Sequence, residues 1–339
     1  MEYIVEQFFS LAAIPSPSGY TRAAIEYTIG EFKKLGFDAA RTGKGGILVD
    51  FGGEGNALIY ASHLDTLGGI VAEIKSSGAL RIAPVGGLNP NNIETENVTV
   101  RTRDGRSYSG VCQLENASTH VNLKYSDTKR DFNTVEILVD EKVYSKQETE
   151  ALGIAIGDYV CFDPRTTYTE SGFLKSRFLD DKLSVAILLA YAKELRETGA
   201  KLSRKVYGFI SVFEEVGHGA SASIPPDAVD FISVDMGCVG TGLSCRETQC
   251  SICVKDSAGP SNYELTGELI ACAKAHGVDY ALDVYPSYRS DADMALIAGH
   301  DLRHCAVGFG VYASHGYERT HMDGVRATLA LLKGYTFMK

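Results

Sequence analysis

The sequence predicts an α/β protein: a β-sheet flanked by helices, built from two separated stretches of chain, with a small β-barrel or sandwich domain inserted between them. Three observations carry this. Near both ends of the chain, long helical periodicities alternate with short, continuous apolar runs, the mark of buried strands among covering helices. From about Thr66 to Pro164 the texture changes to short alternating runs separated by turn residues, with long helical periodicity nearly absent. Finally, five short segments bearing acids or histidines stand at the ends of strand-like runs or at the mouth of a helix. An α/β sheet collects its active-site side chains there.

The N-terminal segment MEYIVEQFFSLAAIPSPSG reads as an amphipathic helix ended by Pro15 and Pro17. A second helix is expected from about Thr21 to Leu35, with Ala24, Ile25 and Ile29 on one face. Two short strands follow, near Phe37 to Ala40 and Gly46 to Phe51, and then the apolar run Ala57 to Ala61. The inserted region contributes runs such as GIVAEI, LRIAPV, NVTVRTRDG and VEILVD. Its one short helix starts at the capping-box-like Ser145-Lys146-Gln147-Glu148. After Pro164 the alternation returns: a helix from about Lys182 to Thr198, strands at Val206 to Phe213 and Phe231 to Asp235, a helix after Pro260, and a last helix from about Asp323 to Tyr335. The stretch Gly237 to Gly242 reads as a loop. The domain boundaries expected are therefore 1–65 with 165–339, and 66–164.

Composition narrows the function. A hydrophobic content of 45% with 22% charged residues suits a globular protein with a full core. The net charge of -10 argues against a nucleic-acid partner, which wants a basic surface. No run reaches the roughly 18 apolar residues of a membrane span, and the N-terminus lacks a basic region ahead of its apolar stretch. A cytoplasmic location is the default expectation, and reduced thiols are expected for the eight cysteines. Cys250 and Cys253 have ligand spacing but no second pair, and read as buried hydrophobes.

The chemistry-bearing residues are individually ambiguous. His63 and Asp65 flank Leu64 just past a strand, so both point the same way; a metal histidine with its orienting acid and a surface pair both fit. Asp180 and Asp181 precede a long helix and suit either metal binding or N-capping. Glu214 and Glu215 follow a buried strand directly, and one can bind a metal while its neighbour moves protons. Asp235 ends another strand, as a ligand or a turn former. Spacing alone does not separate His315 from His304 and His321. In combination, three carboxylates and two histidines suit two divalent ions, with one glutamate left as base.

In order and context, the segments ASHLDTLG, RFLDDK, FEEVGHGA, SVDMG, RSDADMA and ASHGYERTH resemble the dinuclear metal aminopeptidases of the glutamyl aminopeptidase and tetrahedral aminopeptidase family. The inserted stretch VEILVDEKVYSKQETEALGIAIGDYVCFD extends the likeness, which covers essentially the whole chain. The resemblance implies that His63 and Asp235 are terminal ligands of one metal and Glu215 and His315 of the other. It implies that Asp180 bridges them, that Glu214 is the general base, and that Asp65 supports His63. It further implies a mixed β-sheet catalytic domain and a barrel used in oligomer contacts. A peptide substrate and a homo-oligomer from dimer to dodecamer go with it. Two histidine ligands favour zinc or cobalt over magnesium. Three places depart from the family pattern: Asp180-Asp181 stands for the usual Asp-Asn, the stretch reaching His218 is one residue short, and Ser314-His315-Gly316 replaces a His-Ser-Pro form. The rival readings are an N-acyl amino acid deacylase on the same site, a glycoside hydrolase using paired carboxylates, and a scaffold that has lost the chemistry.

Overall fold

The structure, a computed structural model, describes residues 2–338. The chain divides into two compact units, one made of the residues up to Asp65 together with those from Arg165 onward, the other of Thr66–Pro164.

The first unit is built on a twelve-stranded mixed sheet. Its path runs Asp38–Arg41, Ile47–Gly52, Val206–Ser211, Ala57–His63, Ala228–Val234, Arg303–Tyr312, Glu318–His321, Phe173–Ser176 and Thr167–Tyr168. The four central strands, from Val206–Ser211 to Arg303–Tyr312, are parallel to one another. Ala57–His63 is buried at every position, as a central strand covered on both faces must be. Gly237–Val239, expected as part of a loop, instead pairs with the strand Arg303–Tyr312.

Helix Tyr3–Ala12 buries Ile4, Val5, Phe8, Leu11 and Ala12, one face at helical spacing. Helix Leu179–Thr198 is buried on all sides through Ala192, so it lies inside the unit. Its Lys182 is also buried, and the ammonium donates to the carbonyls of Leu11 (3.0 Å) and Ile14 (2.6 Å). Carbonyls at a helix C-terminus lack intrahelical donors and carry partial negative charge, so they accommodate a buried cation. The seven-residue helix Asp291–Ile297, too short to show a periodicity, is closed by a capping box between Ser290 and Asp293.

The second unit is a closed barrel of six strands in the order Gly68–Ile74, Leu80–Val85, Val135–Val139, Ser107–Leu114, Asn97–Arg101, Tyr159–Phe162. Closure removes the unpaired edges an open sheet would leave. Its helix Lys146–Ala151 begins where Ser145 Oγ accepts from the Glu148 amide, while the Glu148 carboxylate accepts from the Tyr144 amide.

Cys250 and Cys253 lie three apart on strand Cys250–Lys255 and contribute to different apolar clusters. Odd spacing on a strand sends two side chains to opposite faces, so this pair does not share an ion.

Candidate metal centre

The parallel strands deliver the site at their carboxyl ends. His63 closes Ala57–His63, Glu214 and Glu215 lie just beyond Val206–Ser211, Asp235 follows Ala228–Val234, and His315 follows Arg303–Tyr312. Asp180 and Asp181 enter from the start of helix Leu179–Thr198. Both aspartates have non-helical dihedrals, at a kink in the first turn, and the Asp181 carboxylate accepts from the His63 amide (3.1 Å).

The structure brings these side chains together. His63 Nε2 lies 3.0 Å from Asp180 Oδ1 and 3.7 Å from Glu214 Oε2. His315 Nε2 lies 3.5 Å from both Asp180 Oδ2 and Glu215 Oε2. Each oxygen of Asp180 therefore faces a different histidine. Two triads have ligand atoms within 4.8 Å of one another, His63–Asp180–Glu215 and His63–Asp181–Asp235. His304 and His321 lie elsewhere, near Asp293 and Asp323 respectively.

Asp65 works differently from a simple imidazole partner. His63 Nδ1 donates to the backbone carbonyl of Asp65 (2.9 Å), which orients the ring and turns Nε2 toward Asp180 Oδ1 (3.0 Å). The Asp65 carboxylate, fully buried, accepts from Ser18 Oγ (2.6 Å) and from the amides of Glu214 (3.2 Å) and Glu215 (3.3 Å). It holds the backbone of the glutamate doublet in place.

Sequence reading missed four supporting residues. Glu318 accepts from the amides of Asp180 (3.1 Å) and His315 (3.0 Å), tying two site residues together. Burial, with the nearby Asp180 charge, pushes its carboxyl up to about 8. Asp291 Oδ1 accepts from the Ala220 amide (2.8 Å), and Lys44 Nζ donates to the carbonyls of His218 and Gly219 and to Ser221 Oγ. The loop after Glu215 is thereby pinned from both sides, with the His218 ring stacked on Phe213. Tyr288 Oη donates to the carbonyl of Met236 (3.1 Å). Asp291 and Glu318 fall inside the segments RSDADMA and ASHGYERTH, but nothing local marks their roles, because most of their partners are backbone groups distant in sequence.

Local strain gathers here. Phe178, Phe213, Ala313 and His315 all have positive φ, between 60° and 93°. For non-glycine residues such conformations cost about 1–3 kcal/mol each and persist only where surrounding structure dictates them. Gly308 packs tightly against the site: a Cβ there would lie 1.9 Å from the carbonyl oxygen of Asp235. Gly308→Ala is expected to cost about 1–3 kcal/mol by overpacking and to displace Asp235. Thermal unfolding alongside metal titration checks this, with both stability and metal affinity falling.

The electrostatics call for cations. Burial, reinforced by Asp235, Asp291 and Asp180, pushes Glu214 well above the carboxylate range despite His63. Burial and the Asp180 charge move Asp235 up to about 7. Asp180 is also buried, yet the hydrogen bonds of His315 and His63 hold it low. Oδ1 of Asp181 and Oδ1 of Asp235 are buried without a hydrogen-bond partner. Crowded, unpaired buried carboxylates cost free energy unless positive charge offsets them. A donor set of two imidazoles and several carboxylates fits divalent metal ions.

A mixed α/β sheet carrying a His/Asp/Glu centre at the ends of its parallel strands, with a closed barrel beside it in the chain, defines a metal-dependent hydrolase class. The chain belongs to the M42 glutamyl aminopeptidase family, which it matches over residues 45–331. It is 41% identical to "Putative aminopeptidase YhfE" of Bacillus subtilis (strain 168), over 99% of this chain and 96% of that protein. It is 28% identical to "Lysyl aminopeptidase" of Pyrococcus furiosus, over 63% of this chain and 61% of the relative. Among solved structures, the TET1 peptidase of Pyrococcus horikoshii superposes with a TM-score of 0.87 at 21% identity, over 99% of this chain and 100% of that one. An aminopeptidase from Desulfurococcus kamchatkensis superposes with a TM-score of 0.87 at 22% identity, over 98% and 94% of the two chains. The protein is thus a hydrolase that acts as an aminopeptidase.

Proposed function

We propose that the protein is a two-metal aminopeptidase that removes N-terminal residues from short peptides. The observation that carries this reading is the position of Asp180, whose two oxygens each face one histidine of the site. In this reading His63 and Asp235 would hold one ion and Glu215 and His315 the other, with Asp180 a ligand available to each. Two imidazoles among the donors favour zinc or cobalt. When bound, such ions supply Lewis-acid polarisation of the scissile carbonyl and a water of lowered pKa.

The remaining steps belong to the chain. Glu214, whose Oε2 lies 3.7 Å from His63 Nε2, accepts a proton from the attacking water, holds it on its carboxyl, and delivers it to the leaving amine nitrogen. Asp65 keeps the two glutamates in register through their amides, and its carbonyl keeps His63 Nε2 turned inward.

The reading extends to assembly and location. The barrel unit exposes Val121, Leu123, Tyr144 and Ile156, apolar surface that suits subunit contacts. A solved neighbour is described as assembling "into a tetrahedron or a large octahedral shell", and a homo-oligomer is proposed here too. Eight free cysteines fit a cytoplasmic enzyme. Among the described residues no helix is long and apolar enough to cross a membrane.

Treatment with a chelator followed by zinc or cobalt addition tests the function directly. Hydrolysis of aminoacyl p-nitroanilides is expected to disappear and then return, while N-acetyl amino acids stay intact throughout. Preferential cleavage of the N-acetyl compounds would sink the aminopeptidase reading in favour of a deacylase, and full activity in the chelator would remove the metal from the mechanism.

A further inference from the structure

We infer that Asp181 is a further ligand of the ion held by His63 and Asp235, and that its carboxylate makes this half of the centre the more anionic and oxygen-rich of the two; this rests on the two-metal reading above. A ligand oxygen of Asp181 lies within 4.8 Å of ligand atoms of both His63 and Asp235. All three residues are buried. The Asp181 carboxylate is oriented through one oxygen, with Oδ2 accepting from the His63 amide (3.1 Å). The other oxygen, Oδ1, is buried and has no hydrogen-bond partner, and the same is true of Oδ1 of Asp235.

No cationic side chain of the protein is set against this carboxylate. Among the described residues no lysine or arginine forms an ion pair with Asp181. Lys182, the next residue along, gives its ammonium to the carbonyls of Leu11 and Ile14 instead. A buried carboxylate with a bare oxygen is costly unless a cation meets it. The two bare oxygens, with the imidazole of His63 nearby, make a pocket whose chemistry asks for a divalent ion. With Asp180 available to the same ion, the His63 half gathers one imidazole and three carboxylates. The His315 half has one imidazole with Glu215 and Asp180. Carboxylate-rich donor sets suit harder ions such as manganese, whereas imidazole suits zinc. The two halves of the centre therefore differ in metal preference, and Asp181 supplies the difference.

The test strips the full-length protein with a chelator and titrates it with zinc and with manganese, in its unaltered and Asp181→Asn forms. Asparagine keeps the size of aspartate and an oxygen for the His63 amide but loses the charge, so a purely structural role would survive the exchange. The unaltered protein is expected to bind two ions. In Asp181→Asn, one of the two dissociation constants should rise by about 100-fold or more, above the about 10- to 100-fold typical of a residue that only orients a ligand. The loss should be larger for manganese than for zinc. Thermal unfolding gives a readout that does not depend on activity. Without metal, Asp181→Asn should melt no lower than the unaltered protein, because a bare buried charge is gone; with metal it should gain less. In crystals of the zinc-loaded protein, an Asp181 oxygen should lie about 2.0–2.2 Å from the ion beside His63. Unaltered affinity for both ions in Asp181→Asn, or an Asp181 oxygen standing well outside that bonding distance, would overturn this inference alone. A single ion in the unaltered protein would overturn the two-metal reading with it.

Discussion

Glu214→Gln is expected to lower kcat by about 10²- to 10⁴-fold, the usual contribution of a positioned acid–base group, while both metal ions stay bound. The amide keeps the size and one acceptor oxygen of the glutamate but takes up no proton at neutral pH. Glu214 lies toward His63 but joins neither ligand triad, whereas Glu215 lies beside His315 and joins the triad with His63 and Asp180. The two neighbours therefore have separable roles, and their variants should separate in the laboratory. Stability should hold or rise slightly in Glu214→Gln, because burial and the surrounding Asp235, Asp291 and Asp180 already disfavour the charged glutamate. Metal analysis, steady-state kinetics and thermal unfolding on the same preparation check all three expectations. Metal loss comparable to the loss of rate would make Glu214 a ligand and remove it as the base.

Asp180→Ala should have the second large effect, by a different route. The two oxygens of Asp180 divide between the histidines, Oδ1 lying 3.0 Å from His63 Nε2 and Oδ2 3.5 Å from His315 Nε2. Its backbone amide is already held by Glu318, so the position is set independently of its side chain. Truncation would leave the fold in place and the two halves of the centre without their common ligand. The metal content after dialysis is expected to fall from two ions per subunit to one or fewer, with hydrolysis lost to background. Retention of two ions with near-normal rates would show that the halves act separately and that Asp180 does not join them.

Much of this architecture was legible in the sequence because its signals are local. The run Ala57–Ala61 is apolar without alternation and bounded by turn residues, the pattern of a strand covered on both faces. The barrel announced itself through short alternating runs between turns. The site residues were legible as a set, since each stands where a strand-like run stops.

Resolving roles was harder, for physical reasons. Aspartates before a helix usually cap it, and nothing local shows that Asp180 and Asp181 adopt non-helical dihedrals and turn inward instead. Asp65 looked like a partner for the imidazole, and its carboxylate does lie 3.6 Å from His63 Nδ1, but it also serves the amides of Glu214 and Glu215, some 150 residues away. Lys44 gave no signal, and Asp291 and Glu318 gave none beyond their place in the segments RSDADMA and ASHGYERTH, because a side chain that holds a distant backbone group has no periodicity or spacing to reveal it. Helix Asp291–Ile297 was missed since seven residues are too few to show an amphipathic repeat.

The central claim is a paired metal centre divided by Asp180. An X-ray structure of the zinc-loaded protein, with anomalous data collected at the zinc edge, tests it most directly. The account predicts two anomalous peaks per subunit, one against His63 and Asp235 and the other against Glu215 and His315, with Asp180 touching both. A single peak, or ions bound away from Asp180, would contradict it.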